Sequence, residues 1–142
     1  MLQILVRAAT VGILSIGLNY AHGTPDKVVI PVHNVSPTDG KQMFTSYCAP
    51  CHGMDGRGGG PMAVNLQEVP ADLTEFARGN LGRFPESHVA SVLQIGVPKT
   101  RYHSSQMPVW GPVFAGMTHL SPNDEYLRIL NIVRYLESIQ GR

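Results

Sequence analysis

The only two cysteines of this 142-residue chain lie close together and are followed at once by a histidine, in Cys48-Ala49-Pro50-Cys51-His52. The spacing C-x-x-C-H is the signature of c-type haem attachment. Each thiol adds across one haem vinyl group, and the imidazole that follows is placed to bind the iron from one face. A thioredoxin-type disulfide leaves the histidine unexplained, and a zinc site lacks a second Cys/His pair at ligand spacing. We therefore predict one haem c, bound covalently through Cys48 and Cys51.

The N-terminal residues have the pattern of an export signal. Arg7 carries a positive charge, residues 8–18 are apolar and small, and Ala21 and Gly23 offer small residues before a cleavage point. An uncleaved membrane anchor is the alternative, but the apolar stretch is shorter than the about 20 residues that span a bilayer. We predict a signal peptide at residues 1–23 and a periplasmic location. Export agrees with haem attachment outside the bacterial inner membrane and with cysteines that are not kept as cytosolic thiols.

The rest of the chain is predicted to form an extended segment at residues 24–37 and one domain at residues 38–142. Prolines punctuate the extended segment, TPDKVVIPVHNVSP, which is expected to wrap the domain or to link it to the membrane side. Charge excludes one class of partner. The chain has 11 Lys+Arg and 10 Asp+Glu without a basic stripe, so we expect no nucleic-acid partner.

Apolar periodicity and capping residues predict four helices. They cover about residues 38–48, 72–79, 85–95 and 122–140. Thr38 or Asp39 caps the first of these helices. Gly40 is unfavourable within a helix, so it indicates either close approach by another helix or simply the start of this one. Residues 97–120 contain three prolines and two glycines and are predicted to form a long ordered loop.

The sixth ligand of the iron decides between electron transfer and catalysis. Met107 and Met117 lie in the predicted loop, far enough from His52 along the chain to reach the other face of a haem. Pro108 follows Met107 and lowers the entropy lost when that part of the loop becomes ordered. Met107 is therefore the favoured ligand, whereas Met117 is expected in the core. His103 is the main rival.

These features together resemble those of a bacterial class I c-type cytochrome with a single His/Met-ligated haem. The resemblance covers residues 38–140 and rests on CAPCHG, DGRGGGP, PADLT, MPVWG and YLESIQ. It implies an all-α, class I cytochrome c-like fold, in which the N- and C-terminal helices cross near a right angle beside the haem. The family's contact positions at that crossing match Gly40, Phe44, Ile132, Tyr135 and Leu136.

The resemblance also implies roles for individual site residues. His52 and Met107 would bind the iron. The carbonyl of Pro61 would accept a hydrogen bond from the second ring nitrogen of His52 and so orient the imidazole. Further candidates, for binding the haem propionates, are Trp110, Tyr102, Arg101 and Arg83.

The function implied is one-electron transfer in a respiratory or dehydrogenase chain, with redox proteins as donor and acceptor. Those partners would be a membrane respiratory complex or a periplasmic dehydrogenase. A small haem enzyme, or a gas- or peroxide-binding protein with a displaceable sixth ligand, is the alternative, and only His103 with Arg101 suggests it. A haem subunit of a larger complex is a third interpretation, in which electron transfer is retained.

Overall fold

The computed structural model describes residues 35–97, 106–117 and 123–141. The predicted signal peptide and most of the extended segment therefore lie outside the described residues, as do Arg101, Tyr102 and His103. Helices and turns make up these three ranges, and no strand occurs within them. The prediction of an all-α fold is confirmed. In the same ranges no helix is both long and apolar enough to cross a membrane.

The N-terminal helix is built from three consecutive stretches, Gly40–Met43, Phe44–Cys48 and Ala49–His52. Its predicted cap is confirmed, because the Asp39 carboxylate accepts a hydrogen bond of 2.8 Å from the backbone N–H of Gln42. The middle stretch is π-helical, with the N–H of Ala49 donating to the carbonyl of Phe44. Such wide turns inside helices are frequent at functional sites. The helix ends at His52, four residues beyond the predicted end, and so carries the whole C-x-x-C-H motif.

Three further α-helices occur in the described residues, the middle helix Glu86–Ile95, the loop helix Trp110–Met117 and the C-terminal helix Asp124–Ser138. The middle and C-terminal helices confirm the prediction. The loop helix corrects it, because residues 97–120 were expected to lack a helix. Pro112 is the third residue of the loop helix, where a backbone N–H has no acceptor within the helix, so the proline is tolerated.

The prediction of a helix at residues 72–79 is wrong. The Asp72 carboxylate accepts hydrogen bonds from the backbone N–H of Thr74 at 2.8 Å and from its hydroxyl at 2.6 Å. This local pairing closes a turn and competes with helix formation. The regular structure in this segment is a single 3₁₀ turn at Arg78–Asn80.

The N-terminal helix packs against the C-terminal helix at Gly40. A Cβ atom at this position would overlap the backbone carbonyl of Asn131 and come within 3.2 Å of the Tyr135 Cβ. One turn further along, the rings of Phe44 and Tyr135 are tilted against each other with centroids 5.1 Å apart. Ile132 is completely buried beside them. The close helix approach predicted from Gly40 is confirmed.

Aromatic side chains join the N-terminal helix to the loop helix. The Tyr47 ring lies 5.6 Å from Trp110 and 5.5 Å from Phe114, and the last two rings stack at 5.3 Å. All three side chains are buried. Contacts of this kind add about 0.5–1.5 kcal/mol to the burial of each pair. They fix the start of the loop helix against the helix that carries the two cysteines.

The last residues of the predicted extended segment pack onto the domain. Val35 is buried, and its N–H donates to the Tyr47 hydroxyl at 3.3 Å. The Arg128 guanidinium donates to the Val35 carbonyl at 2.7 Å, and the Asn131 amide donates to the Pro37 carbonyl at 2.9 Å. Side chains of both terminal helices therefore hold residues 35–37.

Replacement of Gly40 tests the contact between the terminal helices. We expect Gly40→Ala to lower the free energy of unfolding of the haem-loaded protein by about 1–3 kcal/mol, because the added methyl meets rigid backbone. Gly116→Ala in the loop helix is the matched control, since nothing lies within 4 Å of its new methyl. The control is expected to be neutral or up to about 1 kcal/mol more stable. Urea unfolding measures both, and equal stability of the two variants would contradict the contact.

Candidate functional site

A cavity of about 390 Å³ lies beside the end of the N-terminal helix. Its volume falls within the about 300–1,000 Å³ that is usual for cofactor sites. Five of the residues predicted to hold a haem line this cavity, namely Cys48, Cys51, His52, Met107 and Trp110. The N-terminal helix supplies the first three. Met107 and Trp110 come from the start of the loop helix and the residues just before it.

The two thiols differ in burial. Cys48 is buried and Cys51 is half-buried, and no disulfide joins them. Burial, with a smaller contribution from the neighbouring Cys51, raises the pKa of Cys48 to about 12. Burial also raises the pKa of Cys51. Both groups are therefore neutral thiols at neutral pH, and an S–H group is what adds across a vinyl double bond.

His52 is held by one backbone hydrogen bond. Its Nδ1 lies 3.0 Å from the carbonyl oxygen of Ala71. A carbonyl only accepts, so Nδ1 carries the proton and Nε2 keeps its lone pair in the neutral ring. Burial lowers the pKa of His52, and the hydrogen bond to Ala71 opposes this to a smaller extent. The result is a neutral, oriented imidazole, which is the form that binds a metal.

The role predicted for Pro61 is wrong. Ala71 supplies the carbonyl that faces His52, while Pro61 is exposed and does not line the cavity. The residues on either side of Pro61 explain the difference. The N–H of Gly60 donates to the carbonyl of Cys51 at 3.0 Å, and the N–H of Met62 donates to that of Pro50 at 2.8 Å. Residues 60–62 therefore cover the end of the N-terminal helix, and the carbonyl that faces the His52 ring comes from a later part of the chain.

A turn fixes the carbonyl of Ala71. Asp72, the next residue, closes this turn through its two hydrogen bonds with Thr74. The neighbouring Leu73 is held on both sides, since its N–H donates to the Gly56 carbonyl at 2.8 Å and its carbonyl accepts from the Gln140 amide at 2.7 Å. The acceptor that orients His52 is thus tied to the glycine-rich loop, residues 53–60, and to the end of the C-terminal helix.

Several lining residues were not predicted from the sequence. They are Leu66, Glu68, Val69, Pro70, His88 and Gln106. Two other candidates, one for binding a propionate and one for ligating the iron, lie away from the cavity. Arg83 is exposed and does not line it, and Met117 packs against the core, as expected. Binding of a propionate by Trp110 stays a prediction.

The chemistry of the cavity suits a c-type haem. The two neutral thiols, the oriented imidazole of His52 and one thioether line the same space, together with aliphatic and aromatic side chains. The thiols match covalent attachment, and the imidazole and thioether are known haem-iron ligands. Fold and site together therefore define the class, a small all-α domain built to hold one covalently attached haem.

Comparison with known proteins identifies the family. The family model for cytochrome c matches residues 37–140, and the chain therefore belongs to the cytochrome c family. Nothing among curated proteins or solved structures matched the chain. Membership of the family implies a covalently bound haem c and haem-based electron transfer.

Single cysteine replacements test the attachment. Cys48→Ala and Cys51→Ala should each lose one thioether and most of the stable haem-loaded protein, whereas the double variant should release its haem on denaturation. Mass spectrometry and haem staining of denaturing gels measure this. Thr45→Ala, an exposed change in the same helix, is the control and should retain haem normally. Full haem retention by the double variant would contradict covalent attachment.

The turn at Asp72 predicts a pH dependence of stability. Hydrogen bonds from Thr74, the side-chain one first, hold the pKa of Asp72 below its usual 3.8. The unfolded chain therefore binds a proton before the native state does, so this stabilisation is present above pH 3.8 and is lost as pH falls through the native pKa. In Asp72→Asn the free energy of unfolding should fall less steeply as the pH is lowered, and Thr74→Val should show part of this effect. Urea unfolding midpoints at several pH values between neutral and acid measure this effect. If the midpoints of both variants fall with pH as steeply as those of the wild type, the stabilising role of Asp72 is refuted.

Proposed function

We propose that this protein is a periplasmic one-electron carrier in a respiratory or dehydrogenase chain, with iron ligated by His52 and Met107. One observation carries the proposal. The attachment thiols of Cys48 and Cys51, the oriented imidazole of His52 and the thioether of Met107 line one cavity. A haem bound there supplies an iron that alternates between the ferric and ferrous states.

The proposed ligands are both held by the polypeptide. His52 is fixed by the Ala71 carbonyl at 3.0 Å. Met107 is half-buried and is followed by Pro108 and then by buried Trp110, which begins the loop helix. Ligands fixed in this way stay in place in both oxidation states, so little rearrangement accompanies electron transfer. The soft thioether of Met107 favours ferrous iron and raises the reduction potential.

The cavity lining favours a carrier over a haem enzyme. Among the described residues, the carboxylate and imidazole groups that line the cavity are those of His52, Glu68 and His88. His52 is assigned to the iron, and Glu68 and His88 are exposed. Catalysis at an open iron needs an acid or base positioned over the bound substrate. The thioether of Met107, which we propose for the sixth position, would instead close the iron to substrates.

Export and redox partners complete the proposal. The signal-like residues 1–23 support a periplasmic location. The near balance of 11 basic and 10 acidic residues supports docking with redox proteins without strong electrostatic steering. Cell fractionation tests the location. Recovery of the haem protein in the cytoplasm would contradict export.

Replacement of Met107 tests the ligation. Met107→Ala should abolish the sulfur-to-iron charge-transfer band of the ferric protein, lower the reduction potential and let carbon monoxide bind the ferrous protein. The physical reason is the loss of the thioether that closes the sixth position. Visible spectroscopy and redox titration measure these effects.

Two methionine controls sharpen that experiment. Met54→Ala removes an exposed methionine two residues after His52, and Met117→Ala removes one packed against the core. Both variants should keep the charge-transfer band. If the band survives in Met107→Ala and is lost in Met117→Ala, the ligand is Met117. If the wild type instead shows the spectrum of a bis-histidine site, the sixth ligand is a histidine, either His103 or His88, which lines the cavity.

A further inference from the structure

We propose that Gln106 is a positioning residue for Met107, and that its hydrogen bond to Gln67 determines how firmly the thioether stays on the iron. The inference rests on the proposed ligation by His52 and Met107. It assigns a role to the residue before the sixth ligand and to a backbone group far away in the sequence. We call this hydrogen bond between Gln67 and Gln106 the wall clasp.

The wall clasp joins two separate parts of the cavity wall. The backbone N–H of Gln67 donates to the side-chain oxygen of Gln106 at 2.6 Å, across 39 positions of the chain. Gln67 lies between Leu66 and Glu68, which both line the cavity, just after the 3₁₀ turn Ala63–Asn65. Gln106 lines the cavity next to Met107. The segment that carries the proposed ligand is thus attached to the segment that follows the glycine-rich loop.

Gln106 lies on the N-terminal side of Met107, whereas other contacts fix the chain on its C-terminal side. Pro108 has a restricted φ angle, and Trp110 is buried between the rings of Tyr47 and Phe114. Met107 is therefore held on its C-terminal side by a proline and an anchored helix. On its N-terminal side, the wall clasp supplies a restraint at the adjacent residue. Without it, the backbone before Met107 gains freedom, and the thioether competes less well with other ligands for the iron.

The size of the effect follows from the kind of bond. Gln106 and Gln67 are exposed, so water competes for both groups and the net gain from one hydrogen bond is modest. A net gain of about 1 kcal/mol corresponds to roughly a fivefold change in an equilibrium between two ligands. The wall clasp should therefore change the ease with which Met107 is displaced, and leave the haem attachment at Cys48 and Cys51 unaffected.

Imidazole titration of the ferric, haem-loaded protein tests the wall clasp. Imidazole binds the iron only when Met107 leaves it, and the loss of the sulfur-to-iron charge-transfer band reports this. Gln106→Leu removes the acceptor at similar size and should bind imidazole roughly fivefold more tightly than the wild type. Gln106→Glu keeps an oxygen acceptor and should restore the wild-type affinity. Gln42→Leu, an exposed glutamine on the N-terminal helix, is the matched control and should have no effect.

A second variant removes the same bond from its other end. Gln67→Pro deletes the donating N–H, and Leu66 already has the extended backbone (φ −94°, ψ 148°) that suits a residue before proline. It should also bind imidazole more tightly. Agreement between Gln67→Pro and Gln106→Leu supports the bond itself, whereas a change in only one of them overturns the wall clasp.

The outcomes separate this inference from the proposed function. A wild-type protein without the charge-transfer band overturns the ligation by Met107 and the wall clasp with it. A wild-type protein with the band, together with unchanged imidazole affinity in Gln106→Leu and Gln67→Pro, overturns the wall clasp and leaves the ligation intact. Tighter imidazole binding in Gln106→Leu that Gln106→Glu does not reverse also counts against it.

Discussion

The contact between the backbones of the two terminal helices at Gly40 is the constraint on which the rest of the structure depends. Because residue 40 has no side chain, the N-terminal helix can rest on the carbonyl of Asn131. Phe44 then meets Tyr135, and Tyr47 meets the aromatic rings of the loop helix. The same helix ends in the C-x-x-C-H motif, so the contact that closes the core also sets where both thiols and the imidazole lie.

The cavity is made from short, separately fixed segments. A carbonyl at Ala71 orients His52, the Asp72 turn follows it directly, and the Gln140 amide donates to the carbonyl of Leu73, two residues further on. Met107 belongs to a segment attached through Gln106 and through Trp110. Each axial ligand proposed for the iron is therefore adjacent to a hydrogen bond that spans a long stretch of chain. Local mobility at either ligand is limited by contacts elsewhere in the domain.

Much of this architecture could be predicted from the sequence, and the failures have physical causes. Side chains with strong chemical preferences could be assigned from the sequence: the cap at Asp39 is confirmed, and Cys48 and His52 line the cavity. The role of the Ala71 carbonyl could not be predicted, because every residue has a backbone carbonyl and the sequence does not distinguish the one that faces His52. The loop helix was missed because glycine and proline at its start lower helix propensity. Packing of Trp110 and Phe114 against Tyr47 outweighs that preference.

The π-helical stretch Phe44–Cys48 has a consequence for what the N-terminal helix can tolerate. Its one wide turn inserts an extra residue between the part of the helix that packs on the C-terminal helix and the part that carries the motif. The wide turn takes up one residue more than an α-helical turn does, so Ala49–His52 keep the rotational phase of a regular helix that is one residue shorter. If the same residues adopted regular α-helical bonding, Ala49–His52 would rotate by about 100° about the helix axis. Cys51 and His52 would then leave the cavity while the contact at Gly40 stayed intact. The segment can therefore accept a change of residue type at its exposed position Thr45 as long as the wide turn is kept, because this turn sets the direction in which the motif faces.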